Sequence, residues 1–458
     1  MRDLTTGNTF RAVLGISFPI FLSVFFQQSG LAESFFAGRY FGEAALSAVG
    51  NASVLAAFFM LFSYGLNVGG SVVISHLYGG KDYALLVRAV STLFISGAVF
   101  ALAVTVLGTV FCRSALALIN TPPEIVDMSE NYLKIFLIGL IFMYIFNICS
   151  GISTALGDSV TPCILLIIFN ILSIAFCFIA AKLELGVEGL AAAKVIAQFI
   201  CTVPAVFFIH KKLGRFRIKL TRENMFSREI LKKLFTNVIP ATLHTSVGSV
   251  GNMFIQAAIN PLGMSAIAGL TLGGRINGFA SDCIDSIPDG TSAFAAQNIG
   301  AERFSRVKKG FRAGLIQVLC LSVLFSAVFI IFGGGIAKLF TDNGSLEAVH
   351  TAKQYICITA LCFPLMGVKY LCDDILRAAG RMKLYLFTTV QNLVLRVLFV
   401  YIFTPFFGAA AVGFSFAAAT AISAAVSIGI YRKQIWRRDF IKRKMKLTTP
   451  LKNGIISL

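Results

Sequence analysis

Charged side chains are scarce in this chain. They make up 13% of its 458 residues, against roughly 25% in a soluble domain. Hydrophobic residues make up 57%, and that balance excludes an ordinary water-soluble domain. Histidine is scarce too: His76, His210, His244 and His350 lie far apart, without the spacing that metal ligation needs. The ten cysteines stand singly in apolar stretches and no Cys-x-x-Cys occurs. They read as inert buried thiols rather than a disulfide framework. The string Gly79-Gly80-Lys81-Asp82 lacks both the upstream glycine and the Ser/Thr that must follow the lysine of a phosphate loop. No nucleotide-binding segment is present to drive a pump, so neither a nucleotide partner nor a cofactor is expected.

What the chain has in quantity is apolar runs of about 20 residues, the length that crosses a bilayer. Twelve can be read, near 12–37, 44–75, 88–112, 132–156, 160–182, 186–209, 235–260, 264–297, 310–336, 354–379, 383–404 and 409–431. The longer ones fit tilted spans. The first exceeds a signal-peptide core and lacks a small-x-small cleavage site, so it counts as a span. The 44 phenylalanines are read as lipid-facing and packing residues, some of them meeting flat ligands or resting under a cation.

The net charge of +19 follows topology rather than nucleic-acid binding. Odd-numbered gaps between spans hold seven cations: Arg39, Arg113, Lys134, Lys182, Lys194, Lys338 and Lys353. Even-numbered gaps and the two tails hold thirty, and Arg275, Lys369 and Arg396 fall within spans. The positive-inside rule then places both termini in the cytoplasm. The 210–233 loop and the tail 432–458 carry nine Lys/Arg each, suited to anionic headgroups. The expected organisation is a bundle over 1–209, a basic cytoplasmic linker over 210–233, a second bundle over 234–431 and a basic tail.

The two halves repeat. At an offset of 221, Pro19 meets Pro240, Phe41-Gly42-Glu43-Ala44-Ala45 meets Leu262-Gly263-Met264-Ser265-Ala266, and His76 to Tyr83 meets Gln297 to Phe304. Further on, Ala155-Leu156-Gly157-Asp158 meets Ala378-Ala379-Gly380-Arg381, and Asn170 meets Asn392. Six spans per half is an even number, so the halves share one orientation. The expectation is an all-α integral membrane protein of twelve transmembrane helices in two pseudo-symmetric six-helix bundles, related by an axis along the membrane normal.

Six acids fall inside spans: Glu33, Asp282, Asp285, Asp289, Asp373 and Asp374. A carboxylate at the centre of a spanning helix costs about 2.5–3.5 kcal/mol on insertion scales, so each is a functional candidate. Asp282, Asp285 and Asp289 share one helical face at i, i+3, i+7. That face is expected to line a cleft rather than meet lipid. Arg377 follows Asp373 and Asp374 by four and three residues, the spacing of an ion pair. Arg396 is read as orienting or neutralising these acids.

Several strings resemble those of multidrug and toxic compound extrusion (MATE) transporters. In the first half they are Glu33-Ser34-Phe35-Phe36-Ala37-Gly38-Arg39, Gly42 to Gly50 and Ser75 to Tyr83. In the second half they are Gly273-Gly274-Arg275-Ile276-Asn277-Gly278-Phe279, Ala296 to Ala301, and Leu376-Arg377-Ala378-Ala379-Gly380. The resemblance implies export of organic, often cationic compounds against inward protons or sodium. It also implies coupling or binding roles for Glu33, Asn170, Asp289, Asp373 and Arg396, to which the shared face adds Asp282 and Asp285. Two departures stand out: Glu33 replaces the usual Asp, and Ile174 replaces an acid expected four residues after Asn170. Glu33 is therefore expected to act as a lone protonatable carboxylate in apolar surroundings, favouring protons over sodium.

The resulting expectation is a monomeric antiporter, not an enzyme, in a bacterial plasma membrane among its lipids, carrying small organic cations. A lipid-linked oligosaccharide flippase is the transport alternative. It would need a strongly basic cavity, whereas three cations here face six acids. An intramembrane aspartyl protease is set aside, because the string ending at Asp158 lacks the first glycine of the Gly-x-Gly-Asp element.

Overall fold

A computed structural model of the chain describes residues 3–27, 29–119, 121–218, 225–339 and 346–434. Residues 219–224 of the linker and the tail from 435 lie outside the described residues. The described chain is helical: α1 (Thr9–Phe26), α2 (Ser29–Gly79), α3 (Tyr83–Leu118), α4 (Val126–Ala155), α5 (Val160–Lys182), α6 (Gly186–Gly214) and α7 (Arg228–Ile259). After a short 3-10 turn come α8 (Met264–Gly300), α9 (Phe304–Leu339), α10 (Leu346–Ala360), α11 (Phe363–Ala378), α12 (Met382–Phe407) and α13 (Ala410–Arg432). Among the described residues, nine helices, or ten if α10 and α11 form one span, are long and apolar enough to cross a membrane. α7 and α8 have the length but are more polar, α8 because it carries Arg275 and the three aspartates.

Thirteen helices make twelve spans because three of the expected runs do not end where composition alone suggests. α2 is 51 residues long, about 76 Å at 1.5 Å per residue and more than twice a hydrocarbon core. Gly42 divides it with φ 86° and ψ −176°. At the repeat-equivalent position Gly263 has φ 92° and ψ 162°, and starts α8. Both lie in the left-handed region that glycine enters without penalty. The first expected span is itself interrupted: α1 stops at Phe26, where the Gln27 N–H bonds the Val24 carbonyl, and helix resumes at Ser29.

The tenth expected span, 354–379, is corrected to a bent pair. α10 and α11 meet at 53° across Leu361-Cys362. Pro364 is the cause, since it has no N–H for the Ala360 carbonyl four residues back. The freed carbonyl accepts instead from the Ser326 hydroxyl of α9 at 2.6 Å, the kind of substitution that lets a broken helix persist in hydrocarbon.

The repeat extends to the helix ends. The Asp82 N–H bonds the Leu77 carbonyl and the Arg303 N–H bonds the Asn298 carbonyl, the same C-terminal cap 221 residues apart. Asp158 to Ser153 and Arg381 to Leu376 form a second such pair.

Two compact units result. One is Leu22–Thr242. Its core centres on α4, whose Tyr132, Tyr144 and Ile148 are buried together with Leu66 and Leu93. The other joins Leu4–Phe21 to the chain from Leu243 onward. There α8 packs on α9, α10 and α11 through Ile284, Val318, Ile356, Phe363 and Met366. The start of α1 belongs to this second unit: Leu4, Val13 and Ile16 are buried with Phe294. Arg306 donates to the carbonyls of Leu4, Thr6 and Gly7, and Asn298 to that of Leu4. The string from Gln297 to Arg303, matched in the repeat, thus anchors the chain's first turn.

Candidate functional site

Buried charge gathers at one place in each unit. In the Leu22–Thr242 unit, Glu33 sits on the first part of α2 and is 4% exposed. The expectation of a lone carboxylate is corrected: Lys194 Nζ of α6 lies 2.8 Å from its Oε2, and the Tyr132 hydroxyl of α4 donates to its Oε1. A buried charge in this setting requires a partner, and the protein supplies one. Lys194 was counted above among loop cations. The signal against that was its place inside the apolar run 186–209.

Asn170 on α5 is buried and donates to the Leu166 carbonyl. Its Oδ1 has no hydrogen-bond partner among the described residues. No described contact joins it to Glu33. Ile174, where an acid was expected, is exposed.

The second unit holds a larger constellation on α8, α11 and α13. Arg377 reaches Asp289 Oδ1 at 2.6 Å and Asp374 Oδ2 at 2.6 Å, so one guanidinium ties α8 to α11. Its Nε donates to Ser292 Oγ at 3.3 Å, and its Cζ lies 5.8 Å from the centre of the Tyr385 ring. That ring stacks on His244 at 4.2 Å. Two turns before Arg377 on α11, Lys369 Nζ lies 2.6 Å from Asp373 Oδ2, and Ser427 of α13 donates to Asp373 Oδ1 at 2.7 Å. Asp373, Asp374, Lys369 and Arg377 are all buried.

The stripe on α8 has graded access. Asp282 is exposed, Asp285 and Asp289 are half-buried, and the intervening Cys283, Ile284, Ser286 and Ile287 are buried. The three acids therefore share an accessible face, as their spacing requires. Asp289 is held by Arg377, whereas Asp282 and Asp285 have no ion-pair partner among the described residues. Arg396 departs from its expected role. It pairs with none of these acids and lies 5.2 Å over the Phe416 ring, while Asn392 one turn before it donates to Ser423 Oγ at 3.1 Å. Neutralisation falls to Arg377 and Lys369, because they share α11 with Asp373 and Asp374 at helical i, i+3 and i, i+4 spacing.

The five carboxylates on α8 and α11 outnumber the cations Arg275, Lys369, Arg377 and Arg396 within α8, α11 and α12, and only Arg377 and Lys369 pair with them among the described residues. Such a site can bind a cation or exchange protons, and one ligand displaces the other when both need the same carboxylates.

A polytopic helical protein with two repeated bundles and acids on an accessible helical face has the build of a secondary transporter. Comparison with known proteins agrees. The MatE family model matches residues 19–179 and again 240–402, once in each half of the repeat, and the chain belongs to that family of membrane transporters. Among relatives, a probable multidrug resistance protein of Bacillus subtilis, YpnP, is 26% identical over 440 residues, covering 95% of this chain and 97% of that one. The multidrug export protein MepA of Staphylococcus aureus is 25% identical over 390 residues, covering 81% and 82%. A MATE crystal structure in complex with MaL6 superposes with a TM-score of 0.88 at 20% identity, over 94% of this chain and 98% of that one. The Vibrio cholerae MATE transporter VcmN in its bent form gives 0.88 at 17%, with the same coverage. The fold is therefore that of twelve-span MATE transporters.

Proposed function

We propose that the chain is a proton-coupled exporter of organic, cationic amphiphilic compounds, working by alternating access in a bacterial plasma membrane as a monomer. The observation that carries this reading is the accessible α8 stripe, in which Asp282 and Asp285 have no ion-pair partner among the described residues. Its relatives' names, multidrug resistance and multidrug export, support the substrate class.

Moving a monocation outward against a negative-inside potential costs about 2.3 kcal/mol per 100 mV. One proton moving inward returns that electrical term and leaves its concentration gradient to drive export. A carboxylate can bind the drug or the proton but not both, and that competition supplies the coupling. Sodium needs several oxygen ligands at once, whereas a proton needs one. The acids at hand are either unpaired or already shared with Arg377 and Lys369.

The test is efflux of a fluorescent organic cation from reconstituted vesicles, with proton and sodium gradients imposed separately. Transport is expected with the proton gradient alone, and Asp285→Asn is expected to lower it at least tenfold. Transport that requires sodium and ignores the proton gradient overturns the coupling. Full export by Asp285→Asn overturns the role of the stripe.

A further inference from the structure

Both oxygens of Glu33 are occupied by the protein itself, Oε1 by the Tyr132 hydroxyl and Oε2 by the Lys194 ammonium. The three groups come from three helices, α2, α4 and α6. The Glu33 side chain is 5% exposed and that of Lys194 21%, so the pair is largely removed from bulk water. The buried Cys177 on α5 also faces Glu33 and carries no positive charge. Among the described residues, Lys194 is the ion-pair partner of the carboxylate.

That arrangement has a consequence for ion choice. An ammonium carries the same charge as an alkali cation and sits where one would have to bind. A sodium ion entering beside it would leave the pocket with net positive charge, which is costly away from water. Displacing the ammonium would leave it without a partner in a pocket largely removed from water. Arginine at 194 would keep the charge, and alanine would leave a buried carboxylate without a counter-charge.

We propose that Lys194 is the resident counter-cation of Glu33 and fixes the ion selectivity of the amino-terminal unit by excluding sodium from that carboxylate. Lys194 acts through Glu33, as a positioning and specificity-determining residue. The inference rests on the reading of the chain as a cation-coupled exporter. Its test needs no transport, so a failure here and a failure of that reading are distinguishable.

The experiment compares thermal unfolding midpoints of the purified full-length protein in sodium chloride and in choline chloride, at equal ionic strength and pH. The wild type is expected to have the same midpoint in both salts. Lys194→Ala is expected to gain a sodium-specific rise, which Glu33→Gln in the same background removes. Lys194→Arg is expected to behave as wild type, and this rescue separates a charge role from loss of packing. An unresponsive Lys194→Ala overturns the proposal. So does a sodium-specific rise in the wild type that Glu33→Gln abolishes. Where Lys194→Ala does not stay folded, Lys194→Gln replaces it, since it keeps a donor toward Oε2 without the charge, and the same two outcomes apply.

Discussion

Asp158, between the spans α4 and α5, meets Lys212 near the end of α6 at 2.6 Å. Asp158 also accepts from the Thr161 N–H at 3.0 Å and from its hydroxyl at 2.6 Å, closing the first turn of α5. Burial alone would raise this carboxyl, but the hydrogen bonds from Lys212 and Thr161 outweigh it and hold it below the ordinary carboxylate range. A group depressed in the folded state contributes stability above its unfolded pKa and loses it as pH falls through the folded value. Asp158→Asn is therefore expected to lower stability by about 1.5–3 kcal/mol at neutral pH, a deficit that shrinks in strong acid; melting curves across pH measure both. In the sequence the Asp158 string shows a repeat match and an incomplete proteolytic motif, and its capping role comes from what surrounds it. The same division runs through the charged residues. The common face of Asp282, Asp285 and Asp289 was legible because a helix converts spacing into direction. The pairing of Asp374 with Arg377 was legible for the same reason. Lys194 was not, because it meets Glu33 across 161 positions of sequence, and no local spacing encodes that meeting.

Gly69 and Gly290 show how the repeat acts on whole helices. A Cβ on Gly69 would lie 2.6 Å from the Val238 backbone nitrogen of α7. One on Gly290 would lie 2.8 Å from the Ser17 backbone nitrogen of α1. Both members of each contact are 221 residues from their counterparts in the other, so one close helix crossing occurs once in each unit. The neighbour is backbone in both cases and cannot swing aside, as small residues at tight membrane crossings require. Gly69→Ala and Gly290→Ala are each expected to destabilise by about 1–3 kcal/mol, with Gly50→Ala, where nothing lies within 4 Å of the added carbon, as the neutral control. Detergent melting of the three variants checks this, and equal behaviour of all three would exclude tight crossings. Helix order and the Gly42 and Gly263 divisions were legible from the repeat. The break before Pro364 was missed because the apolar run continues through it, and hydropathy does not register a missing N–H. The interruption after Phe26 was hidden in the same way.

Across the whole molecule, the scarcity of charge and its placement determine how the chain sits in a bilayer. Twelve spans is an even number, so the segments flanking the first and the last span are expected on one side. The seven cations assigned to odd-numbered gaps include Lys194, which the structure moves into α6 to meet Glu33, leaving the contrast with the even-numbered side stronger. On the sparse side, Arg113 lies 3.2 Å from Asp127 and 3.0 Å from Glu130, and Lys134 lies 2.7 Å from Glu130, so two of its few cations are neutralised. On the rich side Lys81, Arg303 and Arg306 flank the two equivalent turns after α2 and α8. Lys and Arg near span ends set orientation while acids contribute little, and anionic cytoplasmic headgroups attract each such cation by about 1 kcal/mol. The turns at Lys81 and Glu302 are therefore expected to face the cytoplasm, and the turn before α4 the outside. Single cysteines placed at Asp82, Glu124 and Glu302 in a background without the ten native cysteines, probed in intact cells with a membrane-impermeant thiol reagent, report the sides directly. Labelling is expected at position 124 and not at 82 or 302 until the cells are opened. The reverse pattern would turn the molecule over and put the cation-rich turns outside, against the rule that sets orientation.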